Sequence, residues 1–187
     1  EKGGRSGIWS APALGGSATL LAPVNGRGVL VHWSRDSSTI YYELFHNLYS
    51  LNTSTKEIAK LTDFDDSQIT DRSFSISPDE RSIAYVSREG NQRDIWTAGL
   101  RGENPVPVTN DVYEDSGPIW HPDGKRIIYN SDRDGTKQIC VVNVGGGQPR
   151  QITVSETDNS VADISQDGTK ILFISSKDDA DLWRVPV

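Results

Sequence analysis

Three acidic segments are the places where this chain could do chemistry: Asp63-Phe-Asp-Asp66 running on to Thr70-Asp71-Arg72, Asp111-Val-Tyr-Glu-Asp115, and Glu156-Thr-Asp-Asn159. Asp71, Asp115 and Asn159 follow one another at steps of 44 residues, so a repeating unit would bring them to equivalent places. Carboxylates gathered in this way offer oxygen ligands to a hard cation. They also focus a negative potential that attracts a basic peptide. On that reading the ligand-facing set is Asp71, Arg72, Glu114, Asp115, Asp158 and Asn159, with His32 as a further candidate from a predicted strand. The plainer reading is that each registered residue caps a turn and the remaining acids are simply solvated.

Other chemistries find little support. His32, His46 and His121 include no pair with metal-ligand spacing, and His32 is expected to pack or to line a channel. No Gly-x-Ser-x-Gly elbow precedes a helix pattern. The single cysteine, Cys140, sits in an apolar run and reads as a buried thiol, with no intrachain disulfide possible. Asp132-Arg-Asp-Gly135 has the start of a calcium loop but lacks its downstream Glu, so it reads as a hairpin turn. Gly145-Gly-Gly147 lies between strand patterns, not ahead of a helix, which argues against phosphate cradling. Tyr49, Trp96 and Trp183 recur at one strand position and suit inter-sheet packing. The expectation is a non-enzymatic protein with no cofactor and no metal centre.

The elements that must position the acidic segments follow from a second repeat. Trp33-Ser-Arg-Asp36, Ile76-Ser-Pro-Asp79, Trp120-His-Pro-Asp123 and Ile164-Ser-Gln-Asp167 each precede an apolar run, with Asp-to-Asp steps of 43, 44 and 44 residues. A fixed period in this range marks a propeller or a similar array. The third copy shows the unit best. Ser116–Trp120 forms a first strand and His121-Pro-Asp-Gly124 a tight turn. Arg126–Tyr129 is a second strand, Gln138–Val142 a third and Arg150–Thr153 a fourth. Four antiparallel strands make a propeller blade. The spacing therefore predicts an all-β propeller array over 1–187. Residues 1–25 end a preceding blade; 26–62, 63–109 and 110–153 are blades, and 154–187 is an incomplete one. No segment carries a capped 3.6-residue period, so no helix is expected.

Bulk properties narrow the partners. A formal net charge of −7 with scattered Lys and Arg argues against nucleic acid. No run of about 18 apolar residues is present, so membrane insertion is not expected. The chain starts at Glu1 and contains no Met, which reads as a processed, excised or partial sequence.

Ser77-Pro-Asp79, Ile83-Ala-Tyr85, Asp94-Ile-Trp96, Trp120-His-Pro-Asp-Gly124, Ile128–Gly135 and Gln151-Ile-Thr153 together resemble the TolB-like, WD-repeat-like propeller blade. The resemblance covers essentially the whole chain. It implies an extracytoplasmic or periplasmic bacterial scaffold, or a sensor module, that binds a protein, peptide or small ligand. The alternative it implies is the gating propeller of a peptidase or a lyase-type propeller enzyme. TolB-like propellers have six or more blades, so about four to five blades here predict a piece of a larger ring, or self-association that completes one.

Overall fold

The computed structural model describes residues 6–24, 31–65, 74–89, 92–176 and 180–186. Among them every regular element is a strand, as the sequence predicts, and all pairings are antiparallel. No helix there is long and apolar enough to cross a membrane. The chain forms two compact units, 1–63 and 64–187.

In the first unit, β1 (Gly7–Ser10) pairs with β2 (Thr19–Pro23). β3 (Val31–Trp33), β4 (Thr39–Leu44), β5 (Asn47–Asn52) and β6 (Ile58–Lys60) form a four-stranded meander. Ile8, Ala22 and Val24 from one sheet meet Ile40, Tyr42 and Leu51 from the other in a single buried cluster. Tyr49 stacks on Tyr42, with ring centroids 5.4 Å apart.

The second unit stacks two such meanders and a three-stranded one. The first is β7 (Ser75–Ile76), β8 (Ser82–Glu89), β9 (Gln92–Gly99) and β10 (Val106–Pro107). The next is β11 (Asp115–Trp120), β12 (Arg126–Ser131), β13 (Gln138–Asn143) and β14 (Arg150–Gln151). The last is β15 (Asp158–Ile164), β16 (Lys170–Ser176) and β17 (Ala180–Pro186). The middle sheet is covered on both faces. Ile127, Tyr129, Cys140 and Val142 pack with Ala84, Val86 and Ile95 on one side, while Ile128, Ile139 and Val141 pack with Ile171 and Phe173 on the other. Alternate side chains of a strand point to opposite faces. A sandwiched strand must therefore be apolar at every position, which is why Ile127-Ile-Tyr129 shows no polar alternation.

The recurring turn motif is a hydrogen-bond hub. Ser77 Oγ donates to Asp79 Oδ1 (2.7 Å), whose other donor is the Arg81 N–H (3.2 Å), and Ser77 Oγ accepts from Ser82 N (2.9 Å). Ser34 with Asp36 and Ser165 with Asp167 repeat this arrangement. Backbone N–H of Ser38, then the Ser34 and Ser38 hydroxyls, hold the Asp36 carboxyl down at about 2. In the third copy His121 takes the serine's place. Its Nδ1 lies 3.1 Å from Asp123 N and 3.0 Å from Asp123 Oδ1, and its Nε2 lies 3.1 Å from both Arg126 Nη2 and the Gly168 carbonyl of the next sheet. His121 is thereby buried between turns of adjacent sheets.

Candidate functional site

Each complete meander is fastened by a threonine two residues beyond its last strand. Thr62 Oγ1 accepts from Leu48 N (2.9 Å) and donates to Asn47 Oδ1 (3.0 Å). Thr109 accepts from Ile95 N (2.9 Å) and donates to Asp94 Oδ1 (3.2 Å). Thr153 accepts from Ile139 N (2.9 Å) and donates to Gln138 Oε1 (2.9 Å). All three threonines are buried. The clasp ties the start of the third strand to the loop that leaves the fourth, and that loop carries the acidic segments.

In the middle sheet the clasp is neutral and closed. Asn159 Nδ2 donates to Gln138 Oε1 (2.9 Å) and to Ser155 Oγ (2.7 Å). Gln138 Nε2 donates to the carbonyls of Ser155 and Thr157 (both 3.0 Å), and Ser155 Oγ donates to Thr157 O (2.8 Å). Every donor in the group has an acceptor.

One sheet earlier the same three positions hold Asp94, Asp111 and Asp115, aligned through Thr109 and Thr153. A carboxylate oxygen from each lies within 4.8 Å of the others. Asp94 and Asp115 are buried and Asp111 half-buried. Asp115 is 0 % exposed, and neither of its oxygens is hydrogen-bonded. Burial pushes its carboxyl up to about 7; the Ser131 and Thr109 hydroxyls and Arg133 pull the other way, and Asp111 adds to the rise. Thr109 has already given its proton to Asp94. Arg133 is fixed at the edge of the cluster: its Nη2 donates to Asp111 Oδ2 (3.2 Å) and Tyr129 Oη (3.2 Å), and its Nε to Ser131 Oγ (3.2 Å). Its guanidinium lies over the Tyr113 ring, 5.2 Å from the centroid, and stands 4.0 Å from Asp115 Oδ1.

Residues 1–185 match the TolB beta propeller domain family. The chain belongs to that family. No curated protein matches it closely enough to count as a relative. Among solved structures it is similar to TolB from Acinetobacter baumannii, 24% identical with a TM-score of 0.74, over 91% of this chain and 43% of that one. It is also similar to an oligogalacturonate lyase in complex with manganese (14%, TM-score 0.72, 90% of this chain and 53% of the lyase). A third likeness is to puromycin hydrolase (17%, TM-score 0.65, 90% of this chain and 31% of that one). At these identities the likeness establishes the fold alone. The chain spans about half the length of the first two proteins and a third of the hydrolase, and its sheets are propeller blades of a partial ring.

Within this TolB-type array the expected site residues separate. Asp71 and Arg72 lie outside the described residues. Asp115 and Asn159 do occupy equivalent places, yet both are buried in their clasps and do not face an open rim. Glu114 pairs with Arg93, and its N–H donates to Asp132 Oδ1 (2.8 Å). Asp158 is exposed, with Oδ1 accepting from Lys137 N (2.9 Å). His32 is exposed on β3 and not packed. Asp132-Arg-Asp-Gly135 is a hairpin turn closed by Gly135 N to Asp132 O (2.8 Å). Cys140 is fully buried, and burial pushes its thiol up to about 11. Asp94, the clasp threonines and Arg133 were not expected site residues. Their signal is the spacing of Thr62, Thr109 and Thr153, each 15 residues after its polar partner.

Proposed function

We propose that the chain is part of a non-catalytic, TolB-type binding propeller that engages a basic, partly apolar peptide or protein segment through its fourth-to-first-strand loops. The observation that carries this reading is the mixed character of those loops in the second unit. Val112 (80 % exposed) and Val154 (86 % exposed) stand beside Asp111 and Glu114 in one loop and Glu156 and Asp158 in the next. Arg133 and Arg93 engage Asp111 and Glu114, so the exposed negative charge beside these apolar groups is that of Glu156 and Asp158, and such a mixed edge suits a complementary partner. Two reactive side-chain types, the thiol and the buried imidazole, are not presented to solvent, which supports a non-catalytic reading. Cys140 is buried, and His121 is buried with its ring nitrogens against Asp123, Arg126 and the Gly168 carbonyl. A periplasmic or other extracytoplasmic setting, where TolB-type scaffolds meet envelope partners, belongs to the same proposal.

The test is calorimetric titration of a Lys- and Leu-rich peptide into the chain, with chelator present, at low and at 0.5 M salt. Binding should weaken with salt and should be lost in a Glu156→Lys/Asp158→Lys variant and in Val112→Asp/Val154→Asp. Undiminished binding by both variants, or no heat at either salt concentration, sinks the reading.

A further inference from the structure

We infer that Asp94, Asp111 and Asp115 form a divalent-cation site of the calcium class, which joins β9, the loop after β10 and the start of β11. The inference does not rest on the peptide-binding reading.

Geometry sets the class of ion. A calcium ion takes oxygens at about 2.3–2.6 Å, so two of its ligands stand at most about 5 Å apart. One oxygen from each of the three carboxylates already meets that condition, all lying within 4.8 Å of one another. Magnesium holds oxygens at about 2.0–2.1 Å in a strict octahedron and keeps several waters, so an all-protein carboxylate cluster suits the calcium class better. The remaining coordination positions of a calcium-class ion are normally filled by carbonyls and water.

Asp115 supplies the independent reason to expect a ligand. A carboxylate that is 0 % exposed, with both oxygens lacking a hydrogen bond, is costly unless something positive faces it. Arg133 does not meet this need. It is held by Ser131, Tyr129, Asp111 and the Tyr113 ring, and reaches no closer than 4.0 Å to Asp115.

The next blade acts as an internal control. Gln138, Ser155 and Asn159 fill the same three positions and hold one another by donated hydrogens: Asn159 to Gln138 at 2.9 Å, Asn159 to Ser155 at 2.7 Å and Gln138 Nε2 to Ser155 Oγ at 3.3 Å. The backbone at this place therefore requires no charge. Ionised carboxylates have acceptors only and cannot reproduce that mutual bonding. A cation at the centre replaces the missing hydrogens.

The experiment compares the chain with a triple variant, Asp94→Gln, Asp111→Ser and Asp115→Asn, that installs the neighbouring blade's neutral set. Calcium, manganese and magnesium are titrated after chelator treatment. Binding is followed by calorimetry, by the rise in melting temperature, and by terbium luminescence excited through nearby aromatic rings. The unsubstituted chain is expected to bind calcium with a raised melting temperature and to sensitise terbium. The triple variant, whose neutral clasp needs no metal, is expected to fold in chelator and to lose all three responses. Two results overturn the inference: no calcium binding by the unsubstituted chain at millimolar concentration, or equal binding by the folded triple variant. Should the triple variant fail to fold, Asp115→Asn alone takes its place. Undiminished calcium binding there is likewise fatal.

Discussion

Two adjacent blades of the second unit solve one structural problem with opposite chemistry. Both bring the third strand and the fourth-to-first-strand loop together through a threonine that accepts a backbone N–H, at 2.9 Å in each case. The middle blade completes the junction with amides and a hydroxyl, so it is self-sufficient. The blade before it uses three carboxylates and leaves Asp115 unmatched. Backbone geometry is thus fixed by the threonine clasp, while the three surrounding side chains decide whether the junction is structural cement or a place that responds to its surroundings.

The sharpest way to break the contrast is to put a charge into the neutral clasp. Asn159→Asp removes both hydrogens that Asn159 donates. Gln138 Nε2 and the Ser155 hydroxyl are already committed to carbonyls, so no donor remains for the new carboxylate. An uncompensated buried charge costs about 3–5 kcal/mol, and chemical denaturation should show a loss of that size. A loss below about 1 kcal/mol would mean that the surroundings relax to solvate the acid.

The charged clasp should announce itself through pH. In chelator, Asp115 has a folded value near 7 against 3.8 unfolded, so the folded state holds the proton more tightly between those limits. Stability therefore falls as pH rises from about 4 to 7, by at most about 4 kcal/mol. Asp115→Asn should flatten that slope. The turn acids act with the opposite sign. Asp36 and Asp123 are held at about 2; for Asp123 burial works against the shift, and the Lys125 N–H and Arg126 overcome it. Their contribution is complete above about pH 4 and is lost as pH falls through about 2. Chelated protein should therefore be most stable near pH 4, and a monotonic rise to pH 7 would contradict the burial of Asp115.

The threonines themselves test what the two clasps share. Thr153→Val leaves the buried Ile139 N–H without its side-chain acceptor and removes one of the two hydrogens that Gln138 Oε1 accepts, a loss of about 1–3 kcal/mol. Thr109→Val does the same to Ile95, but at a longer contact to Asp94. The Thr153 substitution should cost at least as much. The reverse ranking in thermal melts would show that the charged clasp depends on its threonine more.

Legibility in the sequence followed the range of the interaction. The turns could be read because Ser, Asp and the strand they start lie within five residues of one another, so a local motif repeats visibly. The apolar run Ile127-Ile-Tyr129 likewise signals burial on both faces without further information. The clasps were harder, since their partners lie 15 residues apart and Thr at a strand end is unremarkable in one copy. The 44-residue step gives the register of Asp115, but an acid in an acidic loop normally faces water, so its type alone points to an exposed group. Its burial depends on Thr109, Ser131 and the neighbouring strand, and none of these is visible locally. His121 reads locally as a turn residue for a similar reason. Its role is the Gly168 carbonyl 47 residues away.

The smallest test concerns the turn after the first strand in the same two blades. Its fourth residue is left-handed in both, at φ 58° for Glu80 and 68° for Gly124. A side chain in that region crowds the following carbonyl and costs about 1 kcal/mol or somewhat more, whereas glycine does not. Glu80→Gly should therefore stabilise by about 1 kcal/mol and Gly124→Ala should destabilise by a similar amount, since open space around Gly124 leaves backbone strain as the main cost. Gly168→Ala at the equivalent turn of the last blade adds a collision, because a Cβ there would lie 2.7 Å from the His121 ring. It should cost more than Gly124→Ala, and the excess should shrink in a His121→Ser background that restores the serine of the other turns. An excess unchanged by that second substitution would separate the turn's strain from its contact with the neighbouring blade.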